Sequence, residues 1–267
     1  MLQADAVSYD VPSRRLVDGV DLAARPGQVL AIIGPNGSGK STLLRMLSGE
    51  RRPASGKVLL DGVPISAIPA TQLAARRAVV PQSTVLSFPF TVLECVMLGM
   101  TVPGFDLTGM RAVDTAHRII GLVGLAGFER RQFTQLSGGE RQRVSVARAL
   151  CQLAAAPARP GETSVLLLDE PTSSLDLTHQ STVLSLMREQ ARGGRAVVVV
   201  LHDLNLAAAF ADEILLMRGG VAVACGSPAS VLTDDVLSNA YGCAVRTNAL
   251  PPGGRPFVIP GAGDSGA

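Results

Sequence analysis

The sequence has no tryptophan, only two tyrosines and seven phenylalanines, an aromatic share of 3%. That scarcity removes the stacking platforms on which single-stranded nucleic-acid binders hold their bases. The formal net charge is only +2, so the field that draws a protein to DNA or RNA is missing too, and nucleic acid is excluded as the main partner. No apolar run reaches the roughly 18 residues expected of a membrane-spanning helix, and no basic-then-apolar signal segment opens the chain. The expectation is a soluble or peripheral protein. The four cysteines, Cys95, Cys151, Cys225 and Cys243, are widely spaced with no CxxC pair. They read as buried, reduced thiols of a cytosolic protein rather than a disulfide framework or a metal site. Lysine is also scarce: Lys40 and Lys57 are the only two among 24 basic residues.

What is present is apolar bulk. A chain of 267 residues with 47% hydrophobic content can bury the core of one large or two small domains, and it is not a disordered protein.

One of the two lysines falls in Gly34-Pro35-Asn36-Gly37-Ser38-Gly39-Lys40-Ser41-Thr42. The apolar run Val29 to Ile33 precedes this stretch, and Leu43-Leu44-Arg45-Met46-Leu47 continues it. The pattern predicts strand, phosphate-binding loop and helix. Glycines let the backbone curl so that its N–H groups face a polyphosphate, and the helix start adds unpaired N–H groups and a positive dipole end. Lys40 can reach the β- and γ-phosphates, and the Ser41 hydroxyl can ligate Mg²⁺.

Residues 1–24 alternate apolar and polar positions, with turn signals at Pro12-Ser13 and Pro26-Gly27, which predicts short antiparallel strands ahead of the core. Tyr9 in this region is either a half-buried strand residue or a platform for an adenine ring. Residues 78–82 read as a buried strand ending in Gln82. Residues 87–104 are apolar with a single charge, Glu94, and are broken by Pro89, Gly99 and Pro103. They form either a core helix or a docking surface for another protein.

At Ser137-Gly138-Gly139-Glu140 the spacing predicts a capping box at a helix start. The paired glycines leave that first turn open to an anion, so a second phosphate contact is expected. Residues 164–168 form a continuous apolar strand ending in Asp169 and Glu170. Asp169 can hold the water shell of Mg²⁺, and Glu170 can orient or deprotonate a water that attacks the γ-phosphate. The strand ending at Leu201 should lie beside the Asp169 strand, which brings His202 near the same phosphate.

With Leu136 to Glu140 in place, the chain resembles the nucleotide-binding subunits of ATP-binding cassette (ABC) transporters over roughly residues 1–245. The family's motifs stand in order: Tyr9 as adenine-stacking residue, residues 34–42 as Walker A, Gln82 as Q-loop, residues 136–140 as signature, residues 166–170 as Walker B, residues 173–176 with Asp176 as D-loop, and His202 as switch histidine. The resemblance makes Gln82 a ligand of Mg²⁺ and water that senses a membrane partner. It implies an α/β fold, a P-loop NTPase with a RecA-like core, an N-terminal antiparallel β region and a helical signature subdomain near residues 87–155. The ATPase domain is expected over residues 1–247, followed by a Gly/Pro-rich tail over 248–267.

In this family two copies pair head to tail, so that Ser137, Gly138 and Gly139 of one copy meet the ATP held by the other and a lone monomer is nearly inactive. A single cassette with no membrane span resembles importer subunits. Such a subunit works at the cytoplasmic face of the bacterial inner membrane with permease subunits and, indirectly, a periplasmic binding protein. The branch it resembles serves iron-siderophore, cobalamin and heme permeases. The Pro/Gly-containing stretch at 151–163 is similar to an insertion in heme importer cassettes, while Leu98-Gly99-Met100-Thr101 stands where the siderophore branch commonly carries Gly-Arg. Heme is therefore the expected cargo, with siderophore or cobalamin import as the alternative and a soluble non-transport ABC ATPase as the reading from another class.

Overall fold

The computed structural model describes residues 1–83, 89–101, 109–156, 160–250, 253 and 256. In chain order the strands are β1 (Leu2–Val11), β2 (Arg14–Ala24), β3 (Val29–Ile33), β4 (Ser55–Leu60), β5 (Val63–Pro64), β6 (Arg77–Val80), β7 (Val165–Asp169), β8 (Ala196–Val200), β9 (Glu213–Arg218) and β10 (Val221–Gly226). The helices are α1 (Lys40–Leu47), α2 (Ala70–Arg76), α3 (Val92–Met97), α4 (Gly109–Leu122), α5 (Gly138–Ala155), α6 (Leu177–Arg192), α7 (Leu204–Phe210), α8 (Pro228–Val231) and α9 (Asp234–Tyr241).

Two sheets result. A six-stranded core sheet runs β10-β9-β3-β8-β7-β6, parallel except where β10 pairs antiparallel with β9. A four-stranded antiparallel sheet runs β2-β1-β4-β5, with the β1–β2 turn at the Pro12-Ser13 signal.

Strands β3, β7 and β8 are buried along their whole length, as parallel strands covered on both faces must be. Their side chains divide by the period of two. Val29, Ala31 and Ile33 join Leu166, Leu168, Val197 and Val199 in a core built with the helices α3 to α7. Leu30 and Ile32 join Val165, Leu167, Val198 and Val200 in a second core, built with α1 and the antiparallel sheet. Every helix and the small sheet are thus set against one central sheet.

Helices α3, α4 and α5 pack on one another beside that sheet. In the apolar stretch at 87–104, positions 87, 88 and 102–104 lie outside the described residues. The remainder behaves as a core helix: Thr91 and Glu94 close a capping box, and Val92, Cys95, Val96 and Met100 are buried. Leu98, 37% exposed, is its apolar contribution to the surface. Among the described residues no helix is long and apolar enough to cross a membrane.

The cysteine expectation holds for half of the set. Burial pushes the Cys95 thiol up to about 11 and the Cys151 thiol to about 12, so both stay protonated. Cys225 and Cys243 are exposed instead, because they fall on the partly solvated β10 and on the segment after α9. All four are free thiols.

The stretch at 151–163 begins as the last turn of α5, and its positions 157–159 lie outside the described residues, as does most of the 248–267 tail. Its end is anchored. Thr163 donates to the Asp61 carboxylate through its backbone N–H (2.9 Å) and its hydroxyl (2.6 Å), and Arg76 and the Met1 amine reach the same carboxylate. Burial alone would push Asp61 up, but the hydrogen bonds from the amine and Thr163 hold it down at about 2. The carboxylate therefore ties the β4–β5 turn to α2 and to the strand entering the core. Its contribution is complete above the ordinary carboxylate range and is lost as pH falls through about 2. Asp61→Asn, which tolerates the left-handed backbone at this position (φ 52°), should lower the melting temperature by about 3 °C at pH 7. Thermal unfolding at stepwise lower pH should show the gap to wild type closing below pH 4, and a pH-independent gap would contradict the assignment.

Candidate functional site

Four parallel strands deliver their C-terminal ends to one edge of the core sheet. Ile32 of β3 and Asp169 of β7 both stand opposite Val200 of β8, and Val80 of β6 stands opposite Leu168. The residues that follow these ends are the loop at 34–39, Glu170, His202 and Gln82. Far apart in sequence, they meet because their strands are neighbours, at the edge where open α/β sheets bind ligands.

The loop is shaped by close backbone approach. Gly34 has φ 142°, and a Cβ there would stand 2.0 Å from the Met217 carbonyl oxygen on β9. No side chain can occupy that position without moving the strand. Gly39 is the N-cap of α1 in left-handed geometry, with no side-chain cap and no acid in the first turn, so the N–H groups of that turn remain available to an anion.

Lys40 is buried beneath the loop, and its Nζ donates to the carbonyl oxygens of Gly34 (2.8 Å) and Pro35 (2.9 Å). Burial lowers its pKa, opposed by the charges of Glu170 and Asp169. The Ser41 hydroxyl donates to Asp169 Oδ1 at 3.0 Å. Burial pushes the Asp169 carboxyl above its ordinary value; the Ser41 hydrogen bond opposes the shift and the charge of Glu170 adds to it. A buried carboxylate beside a hydroxyl, with too little positive charge nearby, suits a hard divalent cation. Among the described residues no three His, Cys, Asp or Glu side chains form a metal cage.

Glu170 is clamped. Its Oε2 accepts from Gln82 Nε2 at 2.9 Å, and its Oε1 lies 2.6 Å from His202 Nε2. Its backbone is left-handed (φ 50°), an unfavourable geometry for a residue with a side chain and one that concentrates at functional positions. The consequence is a carboxylate with both oxygens held, one from each neighbouring strand end.

A cavity of about 220 Å³ lies over the loop, lined by loop residues 36–42, by Glu170 and His202, and by Arg14 and Leu16. Several predicted residues stand elsewhere. Tyr9 does not line the cavity. It pairs across the small sheet with the fully buried Val17, packs against the second core, and accepts a hydrogen bond from Arg51 at 3.0 Å, beyond the C-terminal end of α1. The phosphate loop is at the other end of that helix.

Ser137, Gly138, Gly139 and Asp176 also lie outside this cavity. The Ser137 hydroxyl accepts from the Glu140 N–H in the predicted capping box. Gly139 has an internal reason to be glycine, since a Cβ there would stand 2.8 Å from the Ser174 carbonyl oxygen. Asp176 caps α6, accepting from the His179 N–H at 2.9 Å and meeting the His179 ring at 2.7 Å. Sequence reasoning missed Arg14, Leu16 and Tyr241. The Tyr241 hydroxyl faces the Gly34 backbone, and burial of the ring raises its pKa against the pull of that backbone group. Nothing local in α9 signals this contact with a loop some 200 residues away.

With this geometry in hand, the family model described as "ABC transporter" matches residues 17–173. The hemin import ATP-binding protein HmuV of Rhizobium meliloti (strain 1021) is 45% identical over 260 residues, covering 97% of this chain and 98% of that protein. HmuV of Mesorhizobium japonicum is 46% identical over 266 residues, with the same coverage. The chain belongs to the ABC transporter family. Its fold agrees with the dimeric structure of MJ0796, a bacterial ABC transporter cassette, at a TM-score of 0.74 and 28% identity, covering 85% of this chain and 99% of that one. The same cassette has been solved in a dimeric post-hydrolysis state bound to ADP and Pi, with the same score and identity. This ABC cassette is accordingly an ATP-binding ATPase of the P-loop NTPase fold.

The glycines of the cassette are not equivalent. Gly34→Ala forces a Cβ onto a backbone carbonyl and should cost about 3 kcal/mol or more, whereas Gly37→Ala, with nothing within 4 Å, should cost only the left-handed strain of about 1 kcal/mol. Chemical denaturation of both variants checks this; equal losses would remove the Met217 contact as the reason for Gly34.

Proposed function

We propose that this cassette is the ATP-hydrolysing subunit of a bacterial heme importer. It would work as a head-to-tail pair of copies at the cytoplasmic face of the inner membrane, beneath permease subunits served by a periplasmic heme-binding protein. The cargo is supported by one observation: relatives bearing the hemin import name match this chain at about 45% identity along nearly its whole length.

The chemistry is supported by the Glu170 clamp. In this reading Glu170 accepts a proton from the water that attacks the γ-phosphorus, the bond to the β–γ bridging oxygen breaks, and ADP and phosphate leave. Gln82 and His202 hold the carboxylate in place, and the loop N–H groups with Lys40 bind the phosphates. Ser41, Asp169 and Gln82 would hold Mg²⁺, which neutralises phosphate charge when bound. A second copy is supported by the signature residues of one chain lying outside its own cavity; in this reading Ser137, Gly138 and Gly139 approach the ATP from the partner. The division into an ATPase domain over 1–247 and a tail over 248–267 belongs to the same proposal.

Reconstitution with the permease and periplasmic protein in proteoliposomes tests both parts. Wild type should drive ATP-dependent uptake of heme but not of cobalamin or a ferric siderophore. Glu170→Gln should retain ATP affinity within about threefold while losing at least about 100-fold in turnover. Robust uptake of another chelate without heme would overturn the cargo, and unchanged turnover in the variant would overturn the role of Glu170.

A further inference from the structure

We infer that helix α9 braces the phosphate loop from outside the nucleotide cavity, with Tyr241 as the positioning residue that steadies Gly34. The inference rests on the ATP-site reading above and adds to it a residue that touches neither nucleotide nor metal.

The loop is weakly held from within. Gly34, Gly37 and Gly39 stand at φ 142°, 76° and 100°, conformations that glycine enters and leaves at little cost. The Ser38 N–H donates to the Pro35 oxygen at 3.2 Å, but the buried Ser38 hydroxyl has no partner among the described residues. Lys40 grips the first half of the loop through the Gly34 and Pro35 oxygens, at 2.8 and 2.9 Å. An ammonium has three donors, so phosphate arriving at Lys40 competes for that grip. The first half of the loop therefore needs a hold with which the nucleotide does not compete.

Helix α9 supplies one. A second cavity, of about 360 Å³, is lined by loop residues 35–38, by Arg218 and by the Tyr241 end of α9. Residues 36–38 line both this cavity and the one that holds Lys40, Glu170 and His202, so the loop is the partition between the two. Tyr241 borders only the second cavity. Its hydroxyl faces the Gly34 backbone, and its ring packs on the core that contains Ile33, the residue before Gly34. A helix of eight residues is not stable alone in water, yet α9 is fastened along its length. Leu237 and Ala240 are buried in that same core. Arg218 donates to the Asn239 carbonyl oxygen at 2.6 Å and to Asn239 Oδ1 at 2.8 Å. Beyond the helix the chain folds back, and the N–H groups of Val245 and Thr247 donate to the Ser238 hydroxyl (2.9 Å) and to Asp234 (2.7 Å). Arg218 ends β9, whose Met217 carbonyl already crowds Gly34. Met217 and Tyr241 thus reach one glycine from a single fastened unit of β9 and α9.

Equilibrium binding of MgATP and of inorganic tripolyphosphate to the full chain, together with steady-state ATPase kinetics and melting temperature, tests this. Tyr241→Phe keeps the ring and removes the hydroxyl. It should weaken both ligands about fivefold and raise KM by about the same factor, with kcat within about twofold of wild type. Its melting temperature without ligand should stay within about 3 °C of wild type. The two ligands should respond alike, because the loop grips phosphate and not the base. Unchanged binding of both ligands in Tyr241→Phe would leave Tyr241 as a packing residue only and overturn the inference. So would a loss confined to MgATP, which would place Tyr241 against the nucleoside. Absence of ATP binding in wild type would instead reject the ATP-site reading itself.

Discussion

At Gly34 a Cβ would stand 2.0 Å from the carbonyl oxygen of Met217, and at Gly39 another would stand 2.5 Å from that of Leu16. The loop that receives phosphate is thus pressed between two backbones, one from the core sheet and one from the small antiparallel sheet. This double approach sets the direction of the loop N–H groups and the start of α1, and it makes the hairpin at Arg14 a wall of the same cavity. The two cores, one on each face of the central sheet, hold those backbones at that separation.

Charge follows from the same geometry. Pressing the loop over α1 buries Lys40, and setting β7 between β6 and β8 buries Asp169. Each group is shifted toward its neutral form by burial and partly restored by opposite charge nearby. Such an arrangement gains most when phosphate and a divalent cation arrive together, since each supplies the countercharge that one of the buried groups lacks. Glu170 is treated differently, with both oxygens held by Gln82 and His202. In the proposed reading, binding and hydrolysis draw on separate carboxylates that are adjacent in the chain.

Much of this was legible in the sequence because it depended on period and order. Unbroken apolar runs marked β3, β7 and β8 as buried strands, and parallel neighbours had to bring Asp169, Glu170 and His202 together. The capping box at Ser137 and Glu140 could be read from three-residue spacing alone. What escaped was set by register or by distant contacts. Tyr9 faces the core because it pairs with Val17, in a strand whose pairing is irregular on both sides of it. Gly139 answers to the Ser174 carbonyl in its own chain, and Tyr241 reaches Gly34 from the far end of the sequence. The Asp61 cluster joins positions 61, 76 and 163 with no local pattern to announce it. The left-handed backbone at Glu170 was likewise invisible, because nothing in Asp169-Glu170-Pro171 requires it.

The central claim is that one chain carries half of a hydrolytic site. The phosphate loop, Glu170 and His202 share a cavity, while Ser137 to Gly139 are absent from its lining. The most direct measurement is the specific ATPase activity of the purified full chain as a function of its own concentration. The account predicts activity per chain that climbs from near zero with rising concentration and reaches a plateau once pairs are populated. Activity per chain that stays constant from dilute monomer to concentrated protein would contradict it.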